Sequence, residues 1–196
     1  MTRLPLVLPF LVLVLLSGPI AVSSAQVQDR ESQIAKAVAP LPEDRRAAAR
    51  VLGYDADGEV VEIREGTSEM VCLSDRPGDE EFHAACYHAS LEPFMRRGRE
   101  LRRAGYEGAE VDSVRRAELE ADEWSMPGQP AALFSVSGPA KGWSEESGTY
   151  EGGRALHVVY TPYETGETVG LPTQPSGGGP WLMEPGSPWA HIMYSP

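Results

Sequence analysis

The chain has 196 residues, with 17 Lys and Arg against 29 Asp and Glu, and a formal net charge of −12 at pH 7. A surface this acidic repels both the phosphate backbone of nucleic acid and anionic lipid, so neither is an expected partner. The 20 glycines and 17 prolines exclude an architecture of long helices and imply many turns between short elements.

The chain opens as an export signal. Met1-Thr2-Arg3 is a short positive region, Leu4 to Leu16 is apolar and uncharged, and Ser23-Ser24-Ala25 offers the small side chains that a signal peptidase accepts. The apolar run is shorter than the ~20 residues a membrane-crossing helix needs, and Pro5 and Pro9 interrupt it. Cleavage is expected after Ala25, leaving no transmembrane anchor. An uncleaved N-terminal anchor is the alternative. The excised segment holds one Arg and no acid, so the remainder is more acidic still.

Residues 26–41 read as a polar lead segment with at most one short helix, closed by Pro40 and Pro42. Residues 42–196 read as one α+β domain. Glu43 to Leu52 carries helix start and stop signals, Pro42 before it and Gly53 after, but a strand running into Tyr54 is an open alternative. From Tyr54 the hydrophobic period becomes two: Asp55-Ala56-Asp57-Gly58 is a tight-turn sequence, and Glu59 to Arg64 alternates. With a second strand over Thr67 to Leu73, residues 54–73 are expected to form a hairpin.

A helix near 80–104 is expected to cover it. Leu91, Phe94, Met95, Gly98 and Leu101 share one face of a 3.6-residue period, Ser90 is a suitable N-cap and Gly105 a suitable stop. The pattern allows a further helical turn from Asp79 through Ala89, bent at Pro93. A polar helix follows over Ala109 to Glu123. The turn-rich C-terminal half holds strands at Ala131–Val136, Ala155–Tyr160, Thr168–Leu171, Pro180–Met183 and Trp189–Tyr194. The sum is a small antiparallel sheet packed on helix.

Cys72 and Cys86 are expected to form a disulfide, since an exported pair meets an oxidising compartment. The rival is a metal site built from Cys72, His83, Cys86 and His88. Zinc wants four tetrahedral N or S donors, but one regular helix cannot converge His83, Cys86 and His88, and the spacing fits no standard zinc pattern. No cofactor is expected. Arg96, Arg99 and Arg103 share a helix face and form a weak candidate for anion binding, with neutralisation of neighbouring acids, Glu92 and Glu100 among them, as the simpler reading. Asp55 and Asp57 hint at calcium, yet the turn runs straight into a strand without the distal bidentate acid of an EF-hand. His157 and His191 are candidate general bases for a hydrolase-type enzyme, each needing an acidic partner that the sequence does not name. Trp181 and Trp189 with their neighbours suit a closing core strand better than a ligand platform.

At Arg64-Glu65-Gly66-Thr67, Cys72-Leu73-Ser74-Asp75 and Pro188-Trp189-Ala190-His191-Ile192-Met193 the chain resembles a loosely defined family of uncharacterised exported bacterial proteins. The resemblance implies secretion and bacterial origin and carries no activity. The expectation is therefore an exported, non-enzymatic binding or envelope-associated domain, secreted or periplasmic.

Overall fold

The structure is a computed structural model that describes the backbone from Ser24 and the side chains from Asp29 to the C-terminus. The expected signal segment lies outside the described residues except for Ser24 and Ala25. Those two open α1 (Ser24–Val38). Among the described residues no helix is long and apolar enough to cross a membrane.

The fold is α+β, as the alternating patterns imply, but its sheet is larger than expected. Eight strands, β1 (Arg50–Tyr54), β2 (Val60–Arg64), β3 (Met70–Leu73), β4 (Glu81–His88), β5 (Ala131–Pro139), β8 (Arg154–Tyr160), β9 (Trp181–Met183) and β10 (His191–Tyr194), lie in the order β2-β1-β3-β4-β5-β8-β10-β9. A two-stranded ribbon, β6 (Trp143–Ser144) and β7 (Thr149–Tyr150), stands apart from it. All neighbouring pairs are antiparallel except β1 with β3.

That parallel pair corrects the expected 54–73 hairpin. The Asp55 turn does make a hairpin, between β1 and β2, because the Asp55 carboxylate accepts the backbone N–H groups of Asp57 and Glu59 at 3.0 and 2.9 Å. After β2, however, the chain does not turn back. Residues 65–69 cross the end of β1, where Thr67 and Ser68 donate to the Ala48 carbonyl and Gly66 lies so close to the Arg50 backbone that any Cβ would collide with it. The crossing delivers β3 to the far side of β1. Within the β1–β2 ladder the register shifts between Val51 and Leu52, leaving Ile63 as an extra, bulged residue whose carbonyl accepts the Arg30 guanidinium.

The expected helical turn from Asp79 through Ala89 is likewise a strand. Phe82, Ala84 and Cys86 are buried on one face of β4, and Tyr87 is buried on the other. Helix begins only at α3 (Glu92–Arg103), after a single 3-10 turn in which His88 accepts from the Ser90 N–H. Of the stripe read from sequence, Leu91, Phe94, Gly98 and Leu101 are buried. The Glu43–Leu52 segment divides into one helical turn, α2 (Glu43–Arg46), and β1, so its strand alternative holds from Arg50. The expected strand at Thr168–Leu171 is instead α5 (Gly166–Val169), because Thr165 and Thr168 form a reciprocal N-terminal cap.

Helices cover both faces. On one, α1 buries Ala37 and Val38, with Leu41 just beyond it, against Val51, Ile63, Met70, Cys72 and Cys86. On the other, α3 and α4 (Ala109–Glu120) enclose Leu52, Val71, Tyr87, Phe94, Leu119, Val158, Tyr160 and Trp189. Only Val111 and Leu119 are buried apolar residues of α4, and a buried cation, Arg115, joins them. The Arg115 guanidinium lies 4.0 Å from the centre of the Phe94 ring and 4.8 Å from that of Trp189, with Asp112 at 2.6 Å. Gly98 leaves room for it.

The β6–β7 ribbon folds over Phe82, whose ring stacks with those of Trp143 at 5.5 Å and Tyr150 at 4.6 Å. Glu145 in its turn accepts from Lys36 at 2.8 Å and from Ser32, tying the ribbon to α1.

Candidate ligand cleft

Of the sequence-predicted residues, the structure brings Cys72 and Cys86 together and leaves the histidines and arginines apart from them. Cys72 and Cys86 are direct cross-strand partners of β3 and β4 and are joined by a disulfide. Both are fully buried under α1, where the Ala37 carbonyl oxygen lies 3.2 Å from the Cys86 sulfur. The bond links two adjacent strands of the sheet. It also removes both thiolates from any metal site, and alternation along β4 sends His83 and His88 to opposite faces. Among the described residues no group of three or more His, Cys, Asp or Glu is placed to hold a metal ion. The Asp55 carboxylate is spent on its own turn.

The three arginines reach three different acids. Arg99 binds Glu92 at 2.6 Å and the Tyr87 hydroxyl at 3.0 Å, Arg103 binds Glu59 at 2.9 Å, and Arg96 approaches Glu100 at 3.8 Å. Tyr87 also donates to Glu92, and burial pushes its hydroxyl pKa well up, so it stays protonated as a fixed donor. Each arginine is thus paired with an acid of this chain, Arg99 half-buried beside Tyr87 and Arg96 and Arg103 exposed.

His157 stands between the rings of Phe134 and Tyr194, at 5.1 and 6.2 Å, with no hydrogen bond to a carboxylate. His191 is buried against Tyr160, and its Nδ1 is 2.7 Å from the Trp189 carbonyl, which fixes that nitrogen as the donor. Burial lowers the His191 pKa, partly offset by that carbonyl and by the Glu184 charge. Among the described residues, neither histidine is hydrogen-bonded to a carboxylate.

A cleft forms elsewhere, at the end of the sheet where β5 begins and β8 ends. Because Ala131 pairs with Tyr160, the loop entering β5 and the turn leaving β8 sit side by side, and the end of α4 closes over them. The cleft has a volume of about 220 Å³. Leu119, Trp124, Met126 and Pro130 form its wall, and Asp122 and Glu164 bring carboxylates. Thr161, only 8% exposed, also borders it, and its hydroxyl is closed off from solvent with no hydrogen-bond partner among the described residues.

The turn over the cleft is strained. Thr161-Pro162-Tyr163-Glu164 is closed by a bond from the Glu164 N–H to the Thr161 carbonyl, and Tyr163, third in the turn, has φ +68°. That geometry favours glycine, and a bulky residue there costs of order 1 kcal/mol or more. The loop before β10 holds it in place: Thr161 donates to Ala190, Tyr163 donates to Ser187, and Gly186 donates to Glu164. The result is a tyrosine 69% exposed at the rim.

No family model, curated protein or solved structure matches this chain. The reading therefore rests on the site itself. Sequence reasoning missed the cleft because its parts are far apart in the chain. The available signals were Pro127-Gly128-Gln129-Pro130 and the Tyr at a turn position suited to Gly.

Proposed function

We propose that this chain is an exported domain that binds a ligand and does not transform it. The disulfide carries the export reading. Its sulfurs are wholly buried beneath α1, and a pair so placed forms and persists where the medium is oxidising. The leader-like Met1 to Ala25 segment and the resemblance to exported bacterial proteins support the same compartment. Loss of residues before Gln26 would leave Ile34, Ala37 and Val38 of α1 packed on the sheet, so maturation and folding are compatible.

The binding reading is supported by the cleft and by the surroundings of the two candidate histidines, one held between rings and the other by a carbonyl. The test is to express the full-length chain with a C-terminal tag in a bacterial host, fractionate it, and measure intact mass and thiol alkylation without reductant. A form outside the cytoplasm that starts at Gln26 and takes up no alkylating agent is expected. A full-length cytoplasmic product alkylated at both cysteines overturns the proposal.

A further inference from the structure

We propose that the cleft between the end of α4 and the turn after β8 is a site for a small organic ammonium ion. This rests on the binding reading above and adds the chemical class of the ligand. Charge supplies the first argument. Among the described residues the lining includes Asp122 and Glu164 and no Lys, Arg or His. Glu164 already accepts a hydrogen bond from the Thr168 hydroxyl, with 2.5 Å between the oxygens, so Asp122 is the freer counter-charge.

The wall gives the second. Trp124, Met126 and the surrounding prolines present an apolar surface suited to the hydrocarbon part of such a ligand, and the Trp and Tyr rings attract a cation through their faces. At about 220 Å³ the cleft falls below the roughly 300 Å³ where sites for drug-sized molecules begin, which points to a small amine.

Tyr163 gives the third. Tyr163 is kept at φ +68° by three neighbouring backbone bonds and stands exposed at the rim, where its ring can close over an occupant. Strain of this kind persists where the surrounding structure enforces it, and the place it enforces here is the mouth of a cleft.

The experiment is calorimetric titration of the oxidised exported protein at neutral pH with phenethylamine, with 3-phenylpropionate, and with 3-phenylpropanol, following Trp fluorescence in parallel. Saturable binding of the amine alone is expected, weakened about tenfold by Asp122→Asn, which removes one charge partner and keeps a side chain tolerant of positive φ. Tyr163→Gly should weaken binding while leaving the thermal midpoint unchanged or raised, since glycine relieves the turn. Binding of the acid or the alcohol as tight as that of the amine overturns the ammonium assignment and leaves a binding cleft. Absence of saturable binding by all three, in a protein with its disulfide intact, sinks the cleft as well. Amine binding insensitive to both Asp122→Asn and Tyr163→Gly places the ligand elsewhere and overturns the site.

Discussion

Gln33 of α1 holds both backbone groups of Tyr54 in β1: its Oε1 accepts the Tyr54 N–H at 2.7 Å, and its Nε2 donates to the Tyr54 carbonyl at 3.0 Å. The side-chain amide thus acts as one more residue of the sheet at the point where β1 would otherwise end. The Gln33 carbonyl in turn accepts the buried Ser74 hydroxyl at 2.9 Å. Gly53 makes this approach possible, because a Cβ there would fall 2.5 Å from Gln33 Oε1 and 2.6 Å from Ile63 Cδ1.

Replacing Gln33, only 4% exposed, by Leu should therefore cost about 2–3 kcal/mol, since two backbone groups of Tyr54 lose their partner in a buried place. Chemical denaturation monitored by circular dichroism measures it. Gly53→Ala should destabilise in the same assay by forcing α1 off the sheet, and combining the two changes should cost less than the sum, because they disturb one contact.

Removal of the disulfide is expected to cost about 3 kcal/mol for a loop of sequence separation 14. Cys72→Ala with Cys86→Ala should lower the denaturation midpoint of the protein, and reductant should then have no further effect. A midpoint for the untreated protein that does not move with reductant would contradict the buried bond.

Gly153 sits where any side chain would strike the Tyr150 ring. Gly153→Ala should displace that ring from its stack on Phe82 and loosen the β6–β7 ribbon, costing about 1–3 kcal/mol. The near-ultraviolet circular dichroism of the Trp143, Tyr150 and Phe82 cluster should weaken, while far-ultraviolet signal persists.

His191 predicts a dependence on pH. Burial lowers its pKa below the ordinary 6.5 in the folded state, so the unfolded chain binds the proton more readily. Its contribution to stability is complete above pH 6.5 and is lost as pH falls from there through the folded value. Between about pH 7.5 and 5.5, above the carboxylate range, the protein should lose stability relative to His191→Gln, whose neutral side chain has no proton to take up. Unfolding curves at matched ionic strength across that window decide it; a constant difference between the two proteins would contradict the buried neutral imidazole.

Much of the fold is legible in the residues where local pattern and tertiary setting agree. The α3 stripe, the Asp55 turn, the cysteine pairing and the strands at Ala131 and Ala155 all follow from period, turn chemistry or compartment. β4 was obscured because Ala84-Ala85-Cys86 has neither β-branched residues nor an apolar alternation visible in its letters; its period-two burial is imposed by β3 and β5 on either side. The parallel β1–β3 pairing depends on the Gly66 crossing past Arg50, a long-range contact that no neighbouring residue announces. Arg115 reads as a surface cation and becomes core only when Phe94 and Trp189 arrive from distant segments. The cleft shares that origin: Asp122, Trp124 and Thr161 become neighbours only through the pairing of Ala131 with Tyr160.

The bulge at Ile63 bears on how the molecule behaves in a crowded solution. A sheet with exposed borders is a template onto which another chain can add its own strand, and repeated addition leads to fibres. Here one border is β2, where the odd residue breaks the even spacing of backbone groups and Arg30 occupies the carbonyl set loose by it. The opposite border is β9, three residues long. An incoming strand finds an irregular ladder on one side and a very brief one on the other, so self-propagating assembly is disfavoured at both borders.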